Sequence, residues 1–235
     1  MTDNNKPNLV VLSGAGISQE SGLNTFRDTD GLWEGHKIED VATPEAWYKD
    51  QLKVLKFYNL RRKAVLEAIP NAAHIALKNL EAHFNVQIIT QNVDDLHERA
   101  GSKNIMHLHG KILESRSTLN QQLIYPIIGS DLNKGDLCEL GSQLRPNIVW
   151  FGEDVPMIKY AAEWVENAAI FLIIGTSLQV YPAAGLIRYH TPKKPLYAID
   201  PKPLVGLDNF ELRHLQKTAV NGMDELEKTL VKLYA

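Results

Sequence analysis

VQIITQNVDDLHERAGSKNIMHLHG, residues 86–110, is the stretch from which the architecture can be read. Val86-Gln87-Ile88-Ile89 is a short apolar run that reads as a buried strand. Asp94 to Arg99 reads as a short helix ended by Gly101, and Ile105 to Gly110 alternates like another strand. In open α/β sheets ligands gather at the carboxyl ends of strands, which is where Thr90-Gln91-Asn92 lies. One amide, three carboxylates and three histidines follow that end. His107 and His109, two apart, are expected on one strand face. They could ligate a metal, but no third ligand stands at fitting spacing, so one histidine as general base is the better reading.

Outward toward the N-terminus, Leu9 to Leu12 is a second apolar run that stops at Ser13-Gly14-Ala15-Gly16-Ile17-Ser18. A strand entering a glycine turn and a helix can cradle a phosphate. Gly14 and Gly16 would let backbone approach, and the helix N-terminus would offer N–H groups. Gln19 stands where the dinucleotide fingerprint wants a third glycine, so a plain strand-to-helix turn reads as well. The polar loop Ser21 to Trp33 suits a lid, with Phe26 and Arg27 as a stacking face and a phosphate partner. Pro44 to Ala68 has helical spacing, with Trp47, Leu52, Leu55, Tyr58 and Leu66 recurring. In it Tyr58 and Arg61 share a face, where a phenol beside a guanidinium can hold a carboxylate. Asn71 is expected to cap a helix over Ala72 to His83, with Ile75 and Leu80 inward.

Toward the C-terminus, Lys111 to Leu144 suggests short strands and turns. Ile148 to Glu153 reads as a strand with an exposed end, and Met157 to Asn167 as a helix. Ala168 to Ile174 is a buried strand ending in Gly175-Thr176-Ser177, a glycine and two hydroxyls suited to a phosphate or ribose. Pro182 opens a helix over Ala183 to His190, and Pro195 to Ile199 is a strand ending at Asp200. A last strand near Lys217 to Val220 precedes a helix over Met223 to Leu233. Strands alternating with helices make an α/β, Rossmann-like doubly wound parallel sheet.

Composition removes several function classes. A net charge of −3 over 235 residues makes no electrostatic case for nucleic acid or an anionic membrane as partner. The longest apolar run, Ala168 to Ile174, is far short of a membrane span, and MTDNNKPN lacks the pattern of a signal peptide. Cys138 is the single cysteine, so no intrachain disulfide forms, which fits a reducing compartment. The expectation is a cytoplasmic monomer.

Together, GAGIS (14–18), SGLNTFR (21–27), GLW (31–33), TQNVDDLHERAG (90–101), HLHG (107–110), RPNIVWFGE (145–153) and GTSLQVYPAA (175–184) resemble the sirtuins, NAD-dependent protein-lysine deacylases. The resemblance covers most of the chain outside Lys111 to Leu144. It implies a large NAD-binding domain from 1–30, 70–110 and 145–235. A small domain would form from a helical insertion, 31–69, and from 111–144. NAD is the implied co-substrate, and an acyl-lysine protein or peptide is the implied partner. The products would be free lysine, nicotinamide and O-acyl-ADP-ribose.

The resemblance also distributes roles. Asn92 and Asp94 would position the ribose and the nicotinamide amide, and His109 would be the general base. Gly14, Ala15, Gly16, Ser18, Phe26, Arg27, Trp33, Gln91, Gly175, Thr176, Ser177, Asp200 and Ala219 would bind the cofactor. Val149, Trp150, Phe151 and Gly152 would pair with substrate main chain. Tyr58 and Arg61 match a Tyr-x-x-Arg pair that, in one branch, recognises the carboxylate of succinyl- or malonyl-lysine, often with acetyl-lysine also accepted. The chain departs from the family at its four-cysteine zinc site. Ser115 to Ser117 replace the first pair region and Cys138 stands alone, so no zinc is expected. The lobe would rest on apolar packing by Leu123, Ile124, Tyr125, Ile127 and Ile128. NAD hydrolysis, ADP-ribosyl transfer and non-catalytic NAD or ADP-ribose sensing remain alternative readings of the same site. A Rossmann dehydrogenase is a further one, opposed by the missing third glycine and the HLHG block.

Overall fold

Six parallel strands reverse their order in the middle of one sheet, and that reversal places the site. The computed structural model describes residues 6–24, 32–33 (backbone alone) and 35–235. In chain order the first elements are β1 (Asn8–Ser13), α1 (Gly16–Gln19), β2 (Leu32–Trp33), β3 (His36–Lys37), α2 (Ile38–Val41), α3 (Pro44–Lys49), α4 (Gln51–Glu67) and α5 (Ala72–Leu80). Then come β4 (Asn85–Thr90), α6 (Leu96–Arg99), β5 (Ile105–His107), β6 (Gly110–Ser117), β7 (Ile124–Pro126) and β8 (Leu144–Ile148). The chain ends with α7 (Ile158–Glu166), β9 (Ile170–Ile174), a 3₁₀ helix (Ala183–Tyr189), β10 (Leu196–Ile199), β11 (Leu212–Leu215) and α8 (Ala219–Tyr234).

The large sheet runs β11-β10-β9-β1-β4-β5, every pair parallel. Its strands are apolar on both faces because helices cover both. Leu9 and Val11 face the side of α5 and α8, while Val10 and Leu12 face α7 and the 3₁₀ helix. From β1 the chain builds outward through β4 and β5, then crosses to β9, β10 and β11. Such a switch point opens a crevice at the carboxyl ends of the strands.

A second sheet, β7-β6-β8, is antiparallel. It shares one hydrophobic cluster with α2, α3 and α4, in which Val41, Trp47, Leu55 and Tyr58 meet Ile112, Leu132, Ile148 and Trp150. A polar clamp reinforces this packing. Arg62 is fully buried; its Nε donates to the Ile112 carbonyl at 2.7 Å and Nη1 to the Ser130 carbonyl at 2.7 Å. Asn59 bonds Leu132 through both its amide nitrogen, 3.1 Å, and its oxygen, 3.0 Å.

Several sequence expectations need correction. The helix expected over Pro44 to Ala68 is two helices, because Asp50 leaves helical geometry and its side chain caps α4 by accepting from Lys53 N at 3.0 Å. Ile75, expected inward, is exposed, and so are Leu52 and Leu66 of the recurring set. Asn71 caps α5 as expected, but that helix ends at Leu80. The strand expected over Ile148 to Glu153 lies at Leu144–Ile148, drawn into the second sheet by β6, and the chain turns after it. The last strand is Leu212–Leu215. The segment assigned to it instead starts α8, whose first turn is capped by Glu20, accepting from Val220 N at 2.9 Å and Thr218 Oγ1 at 3.1 Å. Ile124 and Ile128, expected to hold the lobe by packing, are exposed. No described helix is long and apolar enough to cross a membrane.

Candidate functional site

Strand register assembles the site. Ser13, Thr90, Ile174 and Ile199 align across four neighbouring strands. The residues that follow them, Gly14, Gln91, Gly175 and Asp200, therefore form a row along the crevice. The parallel ladder continues into this row, with Gly14 N donating to Ile174 O, Gln91 N to Ser13 O and Gly175 N to Ile199 O.

The segment after β4 is tied down carbonyl by carbonyl. Thr90 O accepts from Leu108 N at 2.9 Å, Gln91 O from His109 Nδ1 at 3.0 Å, Asn92 O from His107 Nδ1 at 3.0 Å, and Val93 O from Ile112 N at 2.9 Å. Four consecutive acceptors thus face one neighbouring segment. The side chains project the other way. Gln91 Nε2 donates to Thr176 Oγ1, 3.1 Å, and Asn92 Nδ2 donates to Ser18 Oγ, 3.1 Å. Ser18 Oγ donates in turn to Asp94 Oδ2, 3.0 Å, whose Oδ1 takes Leu96 N at 3.1 Å. Ser18, Asn92 and Asp94 are buried together, and burial raises the Asp94 carboxyl pKa against the pull of the Leu96 N–H and the Ser18 hydroxyl.

This anchoring selects the tautomer of His109. A carbonyl only accepts, so Nδ1 carries the proton and the lone pair is at Nε2. Burial lowers the His109 pKa from 6.5, partly offset by the Gln91 carbonyl. The ring is therefore a neutral base at neutral pH. His107 and His109 do not sit on one strand face as expected, since β5 ends at His107. They are instead alike in holding successive carbonyls.

Gly14 and Gly16 also allow two loops to meet. A Cβ on Gly14 would stand 2.6 Å from Thr176 Cβ, and one on Gly16 would stand 2.7 Å from Gly175 Cα. The two loops pack backbone to backbone, so these glycines admit Gly175 and Thr176. The amides of Gly14, Gly16, Ile17 and Ser18 all donate within the chain, to Ile174, Gly175, Gly14 and Ala15 carbonyls. Ala15 stands exposed at the turn, and Ser177 is half-buried. Leu178, just beyond, is held at φ 56, where a side chain is strained, and its N–H is 3.3 Å from Thr176 Oγ1.

Beside this crevice lies a cavity of about 230 Å³, walled by Gly22, Leu23, Asn24, Phe57, Leu60 and Arg61. Arg61 is on its wall. Tyr58 is fully buried, and its hydroxyl accepts from Trp150 Nε1 at 3.0 Å. Burial raises the Tyr58 phenol pKa, against the Trp150 N–H and the charge of Arg61. Trp150, placed on the substrate edge by the sequence, is also buried, with the Arg145 guanidinium 3.4 Å from its ring centre. Its turn is pinned by Glu153, which accepts from Arg145 at 2.7 and 2.9 Å, from Arg116 at 3.1 Å and from Trp150 N at 2.8 Å. Val149 N donates to His109 O and Phe151 N to Ala42 O. Three of the amides expected to pair with a peptide thus have partners inside the chain, while Phe151 and Gly152 are exposed.

Asp200 closes β10, accepting Lys202 N at 3.0 Å, and Ala219 is the buried first residue of α8. Phe26, Arg27 and the side chain of Trp33 lie outside the described residues. Glu20, Arg62 and the Arg116–Arg145–Glu153 group escaped sequence reasoning because each acts through partners distant in the chain.

Where the lobe would carry a metal, Cys138 Sγ lies 3.4 Å from Ser117 Oγ and 3.2 Å from Ser142 Oγ, and the two hydroxyls are 2.8 Å apart. One thiol and two hydroxyls do not make a zinc donor set, and no group of three or more His, Cys, Asp or Glu fit for a metal occurs among the described residues.

The Sir2 family model matches residues 14–182. The chain is 53% identical over 226 residues to an NAD-dependent protein deacylase of Helicobacter pylori, covering 96% of this chain and 98% of that one. It is 51% identical over 229 residues to an NAD-dependent protein deacylase of Bacteroides thetaiotaomicron, covering 95% and 98%. Among solved structures it resembles a Sir2 homologue mutant in complex with ADP-ribose, with a TM-score of 0.88 and 38% identity over 97% and 93% of the two chains. It also resembles a Sir2 mutant with a deacetylated p53 peptide and 3′-O-acetyl ADP-ribose, with a TM-score of 0.81 and 29% identity over 96% and 94%.

Proposed function

The chain belongs to the Sir2 family, and on that premise we infer that it removes acyl groups from protein lysine at the expense of NAD. The observation that carries this reading is the Ser18–Asn92–Asp94 network beside a His109 whose proton is fixed on Nδ1. NAD supplies a ribose carbon activated by loss of nicotinamide. The residues present suit such a ligand: a row of strand ends at a switch point, with amide, hydroxyl and carboxylate groups converging. Asn92 and Asp94 orient the ribose side, and His109 Nε2 takes a proton from a ribose hydroxyl.

We further propose that the acyl group enters the cavity beside Arg61 and that succinyl and malonyl groups are accepted there along with acetyl. A guanidinium on a cavity wall pairs well with a carboxylate. Tyr58, on the same helix, is buried behind that wall, and its hydroxyl accepts from Trp150 Nε1. The lobe is proposed to be zinc-free, its former metal corner closed by Ser117, Cys138 and Ser142.

The test is nicotinamide release from NAD, first without peptide, then with acetyl-, malonyl- and succinyl-lysine peptides. Release that ignores the peptide would sink the deacylase reading in favour of NAD hydrolysis. An unchanged succinyl-to-acetyl rate ratio in Arg61→Met would remove the acid pocket. Stoichiometric zinc in the purified protein would refute the zinc-free lobe.

A further inference from the structure

His107 has no part in the chemistry described so far, yet it touches the segment that carries it. Its Nδ1–H donates to Asn92 O at 3.0 Å, and its Nε2 lies 2.8 Å from Glu98 Oε1. Lys111 Nζ stands 3.2 Å from that same carboxylate oxygen. The imidazole side chain is nearly enclosed, at 5% exposure. Of the four consecutive carbonyls tied down after β4, only those of Gln91 and Asn92 are held by side chains, and Asn92 is the one whose amide faces the reaction.

Both contacts are hydrogen bonds when each ring nitrogen carries an N–H, one facing the Asn92 carbonyl and one the Glu98 carboxylate. Burial works against the Glu98 carboxylate, but the His107 contact and the Lys111 charge hold its pKa down to about 2. The carboxylate is therefore charged and draws Nε2, which sets the rotation of the ring and aims Nδ1 at Asn92 O. A main-chain carbonyl pinned in this way leaves the Asn92 peptide plane no freedom to turn. The side-chain amide leaving that plane is then fixed toward Ser18.

We propose that His107, held by a Glu98 that is itself paired with Lys111, is a positioning residue that holds the Asn92 main chain in its reactive orientation. This rests on the deacylase reading in so far as Asn92 acts on the ribose. Misplacing a reacting group by about an ångström can cost on the order of 10²-fold in rate.

The test exploits the two ring nitrogens separately. In His107→Asn the side-chain amide nitrogen can take the place of Nδ1 and donate to Asn92 O. In His107→Gln the amide extends to the place of Nε2 and reaches Glu98 alone. His107→Leu makes neither bond. Nicotinamide release with an acyl peptide, KM for peptide and thermal unfolding are measured for all three. The expected result is a kcat lowered roughly 10- to 100-fold in His107→Leu and His107→Gln, largely restored in His107→Asn, with peptide KM within about twofold throughout. The Asn and Gln variants are expected to unfold at similar temperatures, so stability does not account for the split. Wild-type kcat in His107→Leu overturns the proposal, as do equal kcat values in the Asn and Gln variants. If the wild-type protein releases no nicotinamide with any acyl peptide, the deacylase reading falls by itself. The positioning is then read from NAD affinity by calorimetry: weakening in His107→Leu with recovery in His107→Asn supports it, and equal affinities across the series overturn it.

Discussion

The indole of Trp150 gives its Nε1–H to the phenolic oxygen of Tyr58 at 3.0 Å, and both side chains are buried. These residues lie ninety-two positions apart. One comes from α4, whose Phe57, Leu60 and Arg61 line the cavity, the other from the turn after β8. The bond therefore couples the cavity helix to that turn.

Tyr58→Phe leaves the indole N–H buried without its acceptor. A loss of about 1–3 kcal/mol in unfolding free energy is expected from that penalty. Chemical denaturation measures it. A variant as stable as the wild type would mean that the bond contributes nothing.

If His109 is the base, as proposed, His109→Ala is expected to lower kcat by about 10²–10⁴-fold, and the active form of the unaltered protein is the neutral ring. Burial places its pKa below 6.5, so kcat/KM rises with pH through a value under 6.5 and is level above it. A pH–rate profile whose acid limb is centred above 6.5 would contradict the buried, Gln91-anchored ring.

Gly175→Ala tests the packing of the two loops. The position has φ +64, and an added Cβ would meet Gly16 Cα at 2.9 Å. Left-handed strain and backbone crowding together are expected to cost about 2–4 kcal/mol and to weaken NAD binding. Thermal unfolding and calorimetric NAD titration read the two effects.

Glu153→Ala strips two guanidiniums and an amide of their shared acceptor. The side chain is 17% exposed, so the cost is placed at about 2–3 kcal/mol, at or below the foot of the range for a fully buried pair. Peptide KM should rise as the turn loosens, while NAD affinity stays unchanged. Equal changes in both would show that the turn is not the affected part.

His74 and His97 predict acid sensitivity. Their rings lie 5.0 Å apart in the interior. Burial holds the His74 pKa at about 4 and the His97 pKa at about 3, against 6.5 unfolded. Between those limits the unfolded chain binds protons that the folded chain refuses. Stability is therefore complete above pH 6.5 and falls as pH drops toward 4 and then 3. Urea midpoints across that range measure it, and His97→Leu should flatten the slope.

Much of the sheet was legible in sequence because its strands are apolar on both faces and end abruptly. Leu9 to Leu12, Val86 to Ile89 and Ala168 to Ile174 announce themselves by composition, and each stops at the polar or glycine residues of the site. Boundaries failed where a distant partner decided them. Glu20 started α8 early, and β6 drew β8 into the second sheet. The glycines of GAGIS were recognisable as special, but their reason was not: what they admit is Gly175, far along the chain.

By itself, then, the sequence determined the parallel architecture and the residue types available for chemistry, because burial period and turn chemistry are local properties. Only the tertiary structure decided what each polar group does. It set the Nδ1 proton of His109, joined His107 to Glu98 and Asn92, buried Tyr58 against Trp150, and closed Ser117, Cys138 and Ser142 upon one another. The physical reason is that a hydrogen bond is made with whichever partner the fold brings within about 3 Å, and no spacing along the chain specifies that partner.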